Sequence, residues 1–270
     1  MSWNLVAVFL FGGLGAGFLT GLLGVGGGVV MVPLLYQVFL AIGASQKTAF
    51  ATAVATSLSV MIFTAAYSAR IHRRSGLLDG SLLLWLALGT MAGTLLGSHL
   101  MVASDDRVLR LSFGIFLWLV AASMYLPPVP ARPPGSPPSS RYRFGLVLTG
   151  LGVGIVASLF GIGGTTLLVP ALMLFFGIAI HQAIATATAL IVVTALFGAC
   201  SYLFIGLHDP AVFAIGRPSL PFLALLLMAP GALFASRFGI RTAQRFSHIH
   251  LKTTLVLFQV FVGARFIFGG

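Results

Sequence analysis

Gly21-Leu22-Leu23-Gly24-Val25-Gly26-Gly27-Gly28-Val29-Val30-Met31-Val32-Pro33 sets a cluster of glycines and a proline inside a hydrophobic run. The pattern returns as Ser158-Leu159-Phe160-Gly161-Ile162-Gly163-Gly164-Thr165-Thr166-Leu167-Leu168-Val169-Pro170, at a constant offset of 137 residues. Glycine and proline are poor helix formers. In hydrocarbon, irregular backbone survives only where protein or a water-filled cavity encloses it. Two such breaks in corresponding places of two halves are the best sequence pointer to a transporter's binding site.

The surrounding composition fixes the class. Of 270 residues, 59% are hydrophobic and only 7% are charged, with a mean hydropathy of +1.08. Soluble domains carry about 25% charged residues, so the chain reads as a polytopic membrane protein. The single cysteine, Cys200, excludes a disulfide within the chain. The net charge of +11 does not mark a nucleic-acid binder. Its basic residues fall mostly in short loops between apolar runs, as membrane topology demands. The start, Met1-Ser2-Trp3-Asn4, lacks the basic region of a signal peptide and is read as the beginning of a retained first span.

Apolar stretches cover 4–23, 28–43, 48–69, 80–103, 108–126, 144–161, 165–180, 183–205, 218–236 and 251–268. Several approach the roughly 20 residues that cross a bilayer. Those beside the glycine breaks are shorter and read as half-helices or re-entrant pieces. The expected fold is therefore all-α: a polytopic bundle of two inverted five-segment repeats, broken at the duplicated glycine motifs. Residues 1–126 form the first repeat, 127–143 a Pro-rich linker and 144–270 the second repeat. Proline at the linker's density reads as an extended, solvated tether. The halves agree further on, with Gln46-Lys47-Thr48-Ala49-Phe50-Ala51-Thr52-Ala53 answered by Gln182-Ala183-Ile184-Ala185-Thr186-Ala187-Thr188-Ala189. Gly93-Thr94-Leu95-Leu96-Gly97-Ser98 is answered by Gly231-Ala232-Leu233-Phe234-Ala235-Ser236. Small residues at that spacing let helices approach closely.

Charge sets the expected orientation. Five segments per half put Arg70, Arg73, Arg74, Arg132, Arg141, Arg143, Arg237, Arg241, Arg245 and Lys252 on one face. Lys47, Arg107, Arg110, Arg217 and Arg265 fall on the other. The positive-inside rule makes the first face cytoplasmic. Both termini are then outside, the linker is cytoplasmic, and the repeats are inverted. The expected location is the cell (inner) membrane.

With these elements in place, the chain resembles the TauE/SafE family of sulfite exporters, also called the toluene-sulfonate uptake permeases. The resemblance covers nearly the whole chain. It is carried by the Gly-Val-Gly-Gly-Gly…Pro33 and Gly-Ile-Gly-Gly-Thr…Pro170 elements, the pairs Ala51-Thr52 and Ala187-Thr188, and Gly93…Gly97. It implies secondary transport, by alternating access, of a small sulfur-containing anion such as sulfite, thiosulfate, a sulfonate or a sulfoacetate-like compound. An anion channel, or a carrier of another small organic anion, is the alternative. Thr165 departs from the pattern of its counterpart Gly28. Ala53 and Ala189 stand where family members often carry Ser.

Such an anion needs hydrogen-bond donors and positive potential rather than a metal, cofactor or nucleophile. A helix restarting after a break presents unpaired N–H groups and the positive end of its dipole, a ready anion site. The candidate substrate-binding residues are therefore Gly24, Gly26, Gly27, Gly28, Gly161, Gly163, Gly164, Thr165 and Thr166. Gln46, Thr52, Gln182, Thr186 and Thr188 join them as polar groups that need partners in a bundle interior. Pro33 and Pro170 are expected to fix the ends or bends of the following segments. The chain has no Glu, and its four Asp fall in expected loops, which argues against a carboxylate relay within the membrane. No acid–base pair or triad suggests an enzyme. The glycine motif lacks the Gly-Lys-Ser/Thr ending of a phosphate loop. The expected partners are the anion and the bilayer, not nucleic acid, with homo-oligomerisation left open.

Overall fold

Each apolar run becomes a helix, because in hydrocarbon a helix satisfies every backbone polar group within its own segment. A computed structural model describes residues 3–23, 27–74, 76–123, 125, 140–213, 219–243 and 248–268. Gly24, Gly26 and linker residues 127–139 lie outside them. The described helices are α1 (Trp3–Leu23), α2 (Gly28–Ala41), α3 (Gln46–Arg74), α4 (Gly80–Ala103), α5 (Asp106–Ser123), α6 (Ser140–Phe160), α7 (Thr165–Phe176), α8 (Ile180–His208), α9 (Ser219–Ala243) and α10 (His248–Phe268). A 3-10 turn, Pro210–Phe213, follows α8. No strand occurs among the described residues. The chain is thus an all-α membrane bundle. Ser140, Arg141, Tyr142 and Arg143, read from sequence as the end of the linker, open α6.

Among the described residues, five helices contain segments long and apolar enough to cross a bilayer: Gln46–Arg70, Gly80–Ala103, Ser140–Phe160, Ile180–His208 and Pro221–Gly239. By contrast, α2 and α7 have 14 and 12 residues. At 1.5 Å per residue they reach about 20 Å, short of a hydrocarbon core of roughly 30 Å. Pro33 and Pro170 lie inside these helices rather than at their ends. Each removes one N–H from its helical ladder. Asp79 caps α4, accepting from the backbone N–H groups of Ser81 (2.9 Å) and Leu82 (3.2 Å).

The main helix pairings follow the sequence offset. The two halves align α1 with α6, α3 with α8, α4 with α9 and α5 with α10. In space α4 lies along α6, and α1 along α9. The pairs α3–α8 and α5–α10 are each their own counterpart. Exchanging the halves therefore returns the same four main pairings. The α3 span is the most enclosed, with 72% of its apolar window buried against 39–44% for the other four.

An aromatic cluster ties the two halves together. Phe113 of α5 meets Phe50 of α3 (5.8 Å between centroids), Phe160 at the end of α6 (5.4 Å) and Phe266 of α10 (4.7 Å). Tyr36 of α2 adds contacts to Phe50 and Phe266. Two arginines cover aromatic rings: Arg143 lies 5.5 Å from the Trp85 centroid and Arg237 5.0 Å from that of Tyr67. Such contacts hold a cation against a ring at the edge of the apolar zone.

Candidate substrate site

The two glycine breaks meet inside the protein. Gly27 precedes α2 with φ of 75°, and Gly164 precedes α7 with φ of 91°; both lie in the left-handed region that glycine tolerates. Gly28 abuts the other break so closely that a β-carbon there would overlap the Gly161 carbonyl and crowd Cα of Ile162 at 2.5 Å. Backbone thus touches backbone across the two halves. The second break is otherwise enclosed by α3, α6 and α8. Gly161 faces Val32 and Val54, Gly163 faces Met61 and Ile191, and Gly164 faces Val153.

The ends of the restarted helices offer donors. The first intrahelical bonds of α2 are made by the N–H groups of Val30 and Met31 to Gly27 O (3.1 and 2.9 Å). Those of α7 are made by Leu167 and Leu168 to Gly164 O (3.2 and 2.8 Å). The N–H groups of Gly28, Val29 and Thr165 therefore lie ahead of the helical ladder.

On the other side of the second break, two side chains grip the carbonyls that end α6. The Ser57 hydroxyl donates to Gly161 O (3.0 Å), and the Tyr202 hydroxyl donates to Ser158 O (2.9 Å). Ser158 and Thr165 are buried, and their own hydroxyl oxygens have no hydrogen-bond partner. Thr56 of α3, Thr94 of α4 and Thr186 of α8 share that condition. Buried hydroxyls usually find partners. Their recurrence on the helices around the second break is the kind of polar surplus a solute or ordered water would complete.

A cavity of about 460 Å³ opens beside this region, between α3, α8, the 3-10 turn and α9. Its α3 wall is Thr52, Ala55, Thr56 and Ser59, one helical face at three- and four-residue spacing. Tyr202 lines the opposite wall, so the same side chain borders the cavity and holds the break. None of the break glycines lines it.

The residues singled out from sequence are thus dispersed. Thr52 borders the cavity and is 1% exposed, with its hydroxyl donated to Thr48 O (2.8 Å). Thr165, Thr166 and Thr186 are buried. Thr188 donates to Ile184 O (2.8 Å) in its own helix. Gln46 opens α3 and is exposed, and Gln182 lies near the start of α8, half-buried. From Gln46 to Ser57, which touches the break, is about 16 Å along the helix axis at 1.5 Å per residue. The helix starts therefore hold the glutamines away from the glycines. Thr56, Ser57, Ser59, Ser158 and Tyr202 are not among the candidate residues named from sequence. The spacing Thr52, Thr56, Ser59 on one helical face was the available signal.

Comparison with known proteins agrees with this architecture. The family model described as "Sulfite exporter TauE/SafE" matches residues 9–266. A Bacillus subtilis protein named "Probable membrane transporter protein YunE" is 27% identical over 286 residues, covering 100% of this chain and 99% of its own length. A Haemophilus influenzae protein named "Probable membrane transporter protein" is 28% identical, covering 92% of each chain. A similarly named protein of Methanocaldococcus jannaschii is 27% identical over 93% of this chain and 91% of its own. No solved structure matches the chain.

Proposed function

The chain belongs to the sulfite exporter TauE/SafE family, and from that premise we propose that it is a secondary transporter of a small sulfur-containing anion. Alternating access is the proposed mechanism, with one half rocking against the other. The observation that carries this reading is the meeting of the two breaks at Gly28 and Gly161, in a bundle whose helix pairings survive exchange of the halves. The proposed arrangement is two inverted repeats, with the linker cytoplasmic and both termini outside.

The breaks supply what an anion needs. The N–H groups of Gly28, Val29 and Thr165 lie at the positive ends of α2 and α7. The buried hydroxyls of Ser158 and Thr165 can complete a shell of donors around sulfur-bound oxygens. Gly24, Gly26, Gly27, Gly163, Gly164 and Thr166 belong to the same proposed environment, with Thr52, Thr186 and Thr188 on the adjoining helices. Gln46 and Gln182, at the helix starts, are assigned to the two entrances.

Counterflow in proteoliposomes tests the mechanism. Vesicles loaded with unlabelled sulfite, thiosulfate, sulfoacetate or taurine should take up the labelled form of the transported species faster than empty vesicles. Sulfate and a carboxylate serve as controls. Equal rates with and without internal solute would identify a channel. Transport confined to the carboxylate would replace the substrate class.

A further inference from the structure

The seams α3–α9 and α8–α4 are counterparts under exchange of the halves. The α8–α4 seam is closed by small groups: the Ser98 and Ser201 hydroxyls bond to each other, and Gly198 lies against Thr94 and Leu58. The α3–α9 seam gapes, and the gap is the cavity of about 460 Å³. Three residues of its lining, Leu203, Leu207 and Phe222, keep 63%, 72% and 74% of their surface exposed. They belong to segments of α8 and α9 long and apolar enough to cross a bilayer. The cavity therefore opens sideways and continues the lipid-facing surface. Its α8 lining runs from Ala199 to Leu207, about 12 Å at 1.5 Å per residue. That is most of one leaflet, whose hydrocarbon is about 15 Å deep. The leaflet is the one beside the α8–α9 connection.

The interior offers nothing to a charge. Among the described residues, no Lys, Arg, His, Asp or Glu borders it. Thr52, Thr56 and Tyr202 are 1%, 3% and 1% exposed and present almost no surface to it. Ser59 is half-buried, and its proton goes to Ala55 O (2.8 Å). The remaining accessible wall is hydrocarbon, from Ala55, Ala199, Phe213 and Leu225. Left empty, such walls forfeit dispersion contacts. A helix, about 10–12 Å across with its side chains, is too wide to enter. A single hydrocarbon chain is not.

We propose that this slot holds one acyl chain of a phospholipid from the adjoining leaflet. The chain reaches past the rim to α3, the most enclosed span, and packs on Phe213. The Phe213 ring stands edge-on to Tyr202, 6.3 Å between centroids. Gly206 leaves room for it, since a β-carbon there would meet Cδ2 of Phe213 at 2.8 Å. Tyr202 in turn holds Ser158 O at the end of α6. The chain thus completes the packing behind a side chain that fixes the second break. Nothing in this assignment depends on which solute the protein carries.

Photocrosslinking tests the assignment, using the full chain in nanodiscs of phosphatidylcholine with a diazirine in the acyl chain. Labelled residues are mapped by mass spectrometry. Label should fall on Ala55 or Ser59 of α3 as well as on outward residues such as Leu203 and Phe222. Label on the outward residues alone would mean an empty slot and overturn the proposal. Ala199→Phe fills the slot and should abolish the label on α3 while sparing that on Phe261, an exposed residue of α10. Ala55→Leu, from the facing wall, should act alike, so the comparison does not hang on one variant folding. Label on α3 that survives both variants would place the chain elsewhere and overturn the assignment. Returning phosphatidylcholine to delipidated protein in detergent should raise the wild-type melting temperature further than that of Ala199→Phe, because a ligand stabilises the state that binds it. Equal rises would overturn the proposed bracing of Tyr202. Label on α3 that appears only after oligomers are dispersed would make a second copy the occupant and overturn the proposal.

Discussion

The helix pairs α4–α6 and α1–α9 are counterparts, yet they are built by different means. In α4–α6 the glycines work from both sides. Gly89, Gly93 and Gly97 of α4 stand against the carbonyls of Val147, Leu151 and Ile155. Gly150 and Gly154 of α6 stand against those of Leu86 and Thr90. The Thr90 hydroxyl also donates across the seam to Gly150 O (3.2 Å). In α1–α9 the close approach comes mainly from one side. Gly13 and Gly17 of α1 press on Met228 and Ala232, while α9 carries Leu227, Gly231 and Ala235 where α4 has its three glycines. The comparison teaches that a shared pattern of contacts does not fix their tightness. One pair is closed by backbone on both faces, which favours association in lipid. The other keeps side chains on one face, leaving more room for adjustment.

That difference can be broken by adding single methyl groups. Gly93→Ala should have the largest effect, because the new carbon falls on Leu151 O and no side chain can swing aside. A loss of about 3 kcal/mol or more is expected, seen as near-complete loss of folded protein in detergent chromatography. Gly13→Ala meets Cα of Met228 at 2.6 Å, a milder overlap than the 2.1 Å from Leu151 O at Gly93. It should cost about 2 kcal/mol in an unfolding titration. Thr90→Val removes the bond across the tight seam without adding bulk, for a cost of about 1 kcal/mol on the same assay. Gly231→Ala should be the mildest. Its nearest neighbour would be Leu14 N at 3.3 Å, so a small shift accommodates it. Its cost should stay below about 0.5 kcal/mol. If Gly231→Ala proved as damaging as Gly93→Ala, the two seams would be equivalent and the contrast would be lost.

Much of this architecture could be read from the chain. The short stretches after the glycine clusters became α2 and α7, because a glycine-rich break leaves a helix with nowhere to begin except beyond it. The helix ends were less legible. The run ending near residue 69 continues as helix to Arg74. Hydropathy cannot see that extension. The same holds for α6, which begins among the polar residues Ser140 and Arg141.

The lining of the candidate cavity could be read where the halves agree and was hidden where they diverge. Thr52 stood out because Thr188 repeats it. Thr56 and Ser59 did not, because their counterparts at the same offset are Val192 and Ala195. Repeat matching therefore finds what both halves need, whereas the cavity draws its hydroxyl face from the first half alone. The orphaned state of Thr56 was not legible at all. It depends on which neighbouring carbonyls are already taken, and that is decided by packing.

The contact between Gly28 and Gly161 has one more consequence. Helices usually lock by seating side chains between those of a neighbour, and any slip must first lift each peg from its socket. Here main chain meets main chain at Gly28, which has no side chain of its own to seat, while Val32 and Val54 flank Gly161. A slip at this point would lift no peg of Gly28, but it would have to release the Ser57 hydroxyl from Gly161 O. A single added methyl would act there as grit.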